Sequence, residues 1–291
     1  WPRFVGEEPR APDTAPQAQK ILRNPPKRWA TWPINGIEVT SSQRVETYGG
    51  YNSRVALSED ISMPAIAQKE AIRGSQKWLQ MLVNRCPNLL DQSLRPYLKM
   101  TARDTFTWRS PLREDCYTEY RDEDFLEQVS TRLEQRGLDS FWPHRGPVWD
   151  GLARTSRGDV ILVEAKSHVS ELASFCQARP QALKLIQNSL AEAADFFGAT
   201  SPGNWSRGYY QYANRLAHLY LLRHLNGIPA WLVFLYFVND FEMDGPKSEA
   251  EWRSAIAHVH DHLGIKSTSL RPHVIDLYVD VTALESELAC R

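Results

Sequence analysis

The apolar positions of this chain change period along its length, and the changes mark out its elements. Val160 to Val163 and Ala230 to Val238 are apolar without a break. Neither run is long enough to span a bilayer, and each reads as a strand buried on both faces. Other stretches repeat at helical spacing. Asp122 to Arg136 places Phe125, Leu126, Val129 and Leu133 on one face, with Gly137 as its stop. Short strands are expected at Asp139–His144 and Val148–Arg154. A turn at Ser156-Arg157-Gly158-Asp159 then leads into a third strand, Val160–Ser167. Helices follow over Val169–Gln177, Gln181–Phe197 and Arg207–Leu225. Gly227 and Pro229 precede the strand Ala230–Val238, and Glu249–Leu263 and His273–Val281 read as a helix and a last strand. The order α-β-β-β-α-α-β-α-β predicts a three-layer α/β domain with a central mixed sheet between about Glu114 and Val281.

Upstream of this the pattern is different. Residues 1–33 hold seven prolines and cannot keep a helix of any length, so they read as an extended arm with Trp29 and Trp32 as possible anchors. Ile34 to Leu57 suggests a hairpin around Gly49-Gly50. Helical spacing then runs from Met63 to about Cys86, where Pro87 ends it, and again over Leu89–Met100. The expected division is an arm over 1–33, a small α+β appendage over 34–110 and the α/β domain over 111–291.

Composition adds little to this picture, since 42% hydrophobic and 24% charged residues are ordinary for a globular chain. Cysteines at 86, 116, 176 and 290 form no CxxC pair, which excludes a zinc ribbon and suggests free thiols. Trp1-Pro2-Arg3-Phe4 has no apolar run behind it, as a secretory leader would, so a cytoplasmic protein without a membrane partner is expected. The net charge of −1 hides an asymmetry. Residues 1–110 carry sixteen Lys and Arg against ten Asp and Glu, and the remainder has an acidic excess of seven. A basic surface of this kind suits a phosphate backbone or a plain solvated face.

The chemistry gathers at the end of the third strand, where Val160-Ile161-Leu162-Val163 ends in Glu164-Ala165-Lys166. A Glu and a Lys directly after a buried strand are costly to desolvate unless they have partners or a task. Alternation sends Glu164 and Lys166 to one face and Ala165 to the other. Asp150 lies fourteen residues before Glu164 across a tight turn, so a hairpin brings the two carboxylates together. Carboxylates held close raise each other's pKa, and a divalent cation relieves this. Oxygen ligands with open water positions suit Mg²⁺ or Mn²⁺, with Asp150, Glu164 and the Ala165 carbonyl as the expected ligands. Lys166 is expected at the attacking water or a phosphoryl oxygen.

Asp150 followed by Glu164-Ala165-Lys166 at the end of an apolar strand resembles the PD-(D/E)XK nuclease superfamily, which has the restriction-endonuclease-like fold. The resemblance covers roughly residues 115–240. The proline of the motif is not adjacent to the Asp, since Pro147 stands three residues before it. The resemblance implies a metal-dependent nuclease, with DNA as the expected partner. It also implies an acidic residue on the helix before the meander, for which Glu127 is the candidate and Glu123 the reserve. Some branches carry Gln-x-x-x-Tyr on a helix near the metal. Here that spacing gives Gln211 and Arg215, which share a helix face turned either to phosphate and Lys166 or to solvent. A catalytically inactive nucleic-acid-binding protein of the same fold is the alternative, and a two-carboxylate glycosidase a more distant one. His258 and His262 have zinc-like spacing on a helix but no third ligand, and read as solvated. His168 is a lesser candidate for a phosphate contact. The chain has no GxxxxGK[ST], GxGxxG or GxSxG, so nothing points to nucleotide binding or serine hydrolysis.

Overall fold

Five strands run side by side in chain order: β1 (Phe106–Ser110), β2 (Gly151–Thr155), β3 (Val160–Lys166), β4 (Ala230–Val238) and β5 (Val274–Asp280). β1, β2 and β3 form an antiparallel meander, and β3, β4 and β5 are parallel. The computed structural model describes residues 67–200, 205–270 and 272–289, and the sheet forms the middle of a compact unit spanning 63–291. The expected arm over 1–33 and hairpin over 34–57 lie outside the described residues.

Both faces of the sheet are covered, which is why β3 and β4 read as unbroken apolar runs. One face carries Leu152, Val160, Leu162, Leu232, Phe234 and Tyr236. Against it pack α3 (Asp122–Gln128), α4 (Pro180–Phe196), α5 (Tyr210–Tyr220) and α6 (Glu249–Leu263). The other face carries Ala153, Ile161, Val163, Ala165, Val233 and Leu235. It lies under α1 (Gly74–Arg85), α2 (Pro87–Leu98) and α8 (Val281–Ala289); the four-residue α7 (Ser267–Leu270) precedes β5. The strand and helix over 230–238 and 249–263 fall where the pattern puts them. No helix among the described residues is long and apolar enough to cross a membrane.

Four expectations are corrected. Residues 74–110 are not a separate appendage: β1 pairs with β2, and Trp78, Leu79, Leu82, Leu90 and Leu94 are buried with the sheet residues. The helix expected over 122–136 stops at Gln128, where Ser130 takes a left-handed φ of 49° and Arg154 donates to the Val129 and Ser130 carbonyls. The strand expected over 139–144 is a compact turn in which the Phe141 and Trp142 amides both donate to Leu138 O. Phe141 and Trp142 are both buried although adjacent, which a strand with one wet face does not allow. The first meander strand is therefore Phe106–Ser110. The helix expected over 169–177 is likewise only a 3₁₀ turn, Val169–Leu172. After it an extended segment is braced against α5 through Ser174, whose hydroxyl accepts the Gln211 amide.

Candidate active site

The β2–β3 register pairs Gly151 with Val163, and one further residue sets Asp150 across from Glu164. A second pairing extends the row. Tyr120 bridges Trp149, so Glu119 falls beside Asp150. The Asp150 carboxylate, partly buried, accepts the Ala165 amide at 2.7 Å. Backbone N–H and C=O of one strand residue point the same way, so the Ala165 carbonyl is also directed to the β2 side of β3. Ala165 packs its methyl on the α1 face, while Glu164 and Lys166 lie on the other, as alternation requires.

Glu164 is 1% exposed and Lys166 7%. Lys166 Nζ donates to Glu164 Oε1. The other oxygen is held by Arg215, whose Nε donates to it at 2.6 Å. Arg215 is 2% exposed, and its Nη2 donates to Val148 O at 2.7 Å while its Nη1 donates to Asn214 Oδ1 at 2.9 Å. Glu171, whose charge also acts on Lys166, accepts from the Ser167 amide at 3.2 Å and from Ser75 Oγ at 3.3 Å. Glu119 accepts from Gln76 Nε2 at 2.9 Å. The first turn of α1 thus bonds two of the cluster's carboxylates.

Four carboxylates therefore surround two cations. Burial and that imbalance together set their titration. Burial and then the charge of Glu164 push Asp150 well above the usual carboxylate range. Burial, with Glu164 adding to it, raises Glu119 as well. Burial also raises Glu171. Glu164 alone is lowered, because Arg215 and Lys166 outweigh the burial that would raise it. Lys166 is raised: burial opposes its charge, but Glu164, Asp150 and Glu171 more than offset this.

Among the described residues no three His, Cys, Asp or Glu side chains are arranged to hold a metal as they stand. Mg²⁺ needs no such cage, because it is commonly held by one or two carboxylates with water and phosphate oxygens completing the shell. Asp150 and Glu119 suit it: they are hard oxygen donors, adjacent, raised by their surroundings and not neutralised by a bonded cation. The Ala165 carbonyl is directed to the same side of β3. Glu164 fits less simply, since both of its oxygens are engaged.

Of the residues proposed from sequence, Asp150, Glu164, Ala165 and Lys166 come together. Gln211 lines the same cleft with Glu171, Leu172, Tyr212 and Phe234. Glu127 does not join them. α3 turns Phe125 and Leu126 inward and leaves Glu127 exposed, and the acidic position beside Asp150 belongs to Glu119. His258 and His262 are exposed, and His262 Nε2 bonds Arg207 O. Glu119, Glu171 and Arg215 complete the cluster. Only Arg215 carried a signal in the sequence, through its helical spacing from Gln211. No family model, curated protein or solved structure matches this chain.

Proposed function

We propose that this protein is a divalent-metal-dependent nuclease of the PD-(D/E)XK type that hydrolyses phosphodiester bonds, with DNA as its substrate. The observation that carries this reading is the charge imbalance at the end of β3, four carboxylates against two cations in a largely buried cluster. A purely structural ion-pair network gains nothing from two buried carboxylates beyond those its cations match, whereas a cation site uses them. The antiparallel meander followed by a helical crossover into a parallel fourth strand also agrees with the family arrangement.

Asp150, Glu119 and the Ala165 carbonyl would hold Mg²⁺ or Mn²⁺, with Glu164 beside them. Such an ion supplies a water of lowered pKa and positive charge for a phosphoryl oxygen. Lys166, kept protonated by its acidic neighbours, offers N–H donors to the phosphoryl oxygen or to the attacking water. Gln211, which lines the same cleft as Glu164 and Lys166, is placed to contact the same phosphate. Residues 67–110 carry eight Lys and Arg against three Asp and Glu, and supply a basic surface for the rest of a nucleic acid.

One observation favours a second reading, an inactive nucleic-acid-binding protein of the same fold: both Glu164 oxygens are already bonded to Lys166 and Arg215. Incubation with plasmid and with end-labelled linear DNA, each in Mg²⁺, Mn²⁺ or EDTA, separates the two. Metal-dependent cleavage supports the nuclease. Salt-sensitive binding without cleavage in any metal supports the second reading.

A further inference from the structure

Arg215 is an unexpected residue for its place. It sits in the middle of α5 between Asn214 and Leu216, on a helix whose residues from Tyr212 to Tyr220 are all buried. A guanidinium there is costly to desolvate, and an apolar side chain of similar volume is often the more stable choice. The contacts it makes are specific. Its Nε bonds Glu164, its Nη2 bonds the Val148 carbonyl, and its Cζ lies 4.7 Å from the centroid of the Trp149 ring. Val148 and Trp149 are the two residues that lead into Asp150. One side chain therefore ties the Glu164 carboxylate on β3 to the segment that carries Asp150.

We infer that Arg215 is a positioning residue of the reaction, which fixes Glu164 relative to Asp150 and offsets the charge of Glu164 so that the cation is drawn to Asp150 and Glu119. This rests on the nuclease reading above. Its two effects on the cation oppose one another. The fork holds the donor geometry, and its positive charge weakens cation uptake. Removing the charge should tighten metal binding while slowing turnover, a combination that simple loss of packing does not produce.

The test uses the full chain and Mn²⁺, whose affinity is read directly by paramagnetic resonance of the free ion, without reference to cleavage. Arg215→Gln keeps an N–H toward Glu164 and loses the charge. Its Mn²⁺ Kd should fall about tenfold, as expected for removing a unit charge a few ångströms away in a partly screened site. Its turnover should also fall, by about 10²-fold, the scale of misplacing a reacting group by an ångström. Arg215→Lys keeps the charge and loses the fork, so turnover should fall with little change in Kd. Thermal melts restrict both measurements to temperatures at which each variant is folded. A wild-type protein that binds Mn²⁺ and cuts, beside folded variants that keep its Kd and turnover, overturns the role of Arg215 alone. The same holds for an Arg215→Gln variant that binds Mn²⁺ more weakly than wild type. A wild-type protein that takes up no Mn²⁺ overturns the nuclease reading and this inference with it.

Discussion

Asp150 Oδ2 accepts the Ala165 amide at 2.7 Å, so a carboxylate from the residue just before β2 is pinned to the strand that carries Glu164. The bond needs an acceptor but not a charge. In Asp150→Asn the amide oxygen can take the same N–H, and the repulsion from Glu164 disappears. Without metal the variant should therefore melt at or above the wild-type temperature. With Mn²⁺ the wild type should gain stability, by about 2.7 kcal/mol at a hundred times Kd, and the variant should gain almost none. An equal Mn²⁺-induced shift in both proteins would remove Asp150 from the metal site. Loss of stability in EDTA would point instead to a structural carboxylate.

Glu164 and Lys166 should behave differently when each is removed. Glu164→Gln removes the one carboxylate bonded to both Lys166 and Arg215, and should cost roughly 3–5 kcal/mol. Lys166→Met leaves Glu164 paired with Arg215, so its cost in urea unfolding should be clearly smaller. Its turnover should drop by about 10²-fold or more, the scale of losing a positioned donor. Equal destabilisation by the two substitutions, with no cleavage by the wild type in any metal, would leave only an ion-pair network.

Glu119 was not legible in the sequence, and the reason is physical. Nothing in Tyr117-Thr118-Glu119-Tyr120 is periodic, and its place beside Asp150 comes from a single bridge between Tyr120 and Trp149. β1 was missed as a partner of β2 for a related reason. Forty residues separate them, whereas hairpin reasoning looks for loops of a few residues. By contrast β3, β4 and α6 were legible, because burial on two faces or one leaves a direct mark on composition. The pairing of Asp150 with Glu164 was legible because a tight turn fixes register locally. Arg215 shared a face with Gln211 on any helical wheel, but spacing alone could not tell whether that face met solvent or the cluster.

Gly245 tests how tightly the strand end is closed. A Cβ there would overlap the Ser167 carbonyl oxygen and approach the Asp240 carbonyl at 3.2 Å. Both neighbours are backbone, so neither can rotate away. Gly245→Ala should cost about 1–3 kcal/mol, the range for overpacking a filled site. Gly198→Ala serves as the comparison, since its φ of +68° is strained but nothing lies within 4 Å. That change should cost about 1 kcal/mol. A Gly245→Ala protein as stable as the wild type would mean that the 240–245 turn moves freely from Ser167.

His218 should make the fold sensitive to acid. It is buried on α5, bonded through Nδ1 to Asn214 O at 2.8 Å and packed edge-on against Trp142 at 4.8 Å. Burial, with the nearby Arg215 adding to it, lowers its pKa to about 3. An unfolded histidine titrates near 6.5. Between these values the unfolded chain binds a proton that the native state refuses, so stability rises with pH there. The contribution is complete above about pH 6.5 and is lost progressively as pH falls toward 3. The slope for one such group is about 1.4 kcal/mol per pH unit, or about 2 kcal/mol between pH 6.5 and 5. Urea unfolding at pH 7.5 and pH 5 reads this directly. His218→Phe keeps an aromatic ring in the pocket and removes the proton site, so it should lose about 2 kcal/mol less than the wild type over that interval. His218→Gln removes the site with less volume, and should show the same reduced loss if the larger ring packs badly. Wild type and both variants losing equal stability between the two pH values would show that His218 is not the group that refuses the proton.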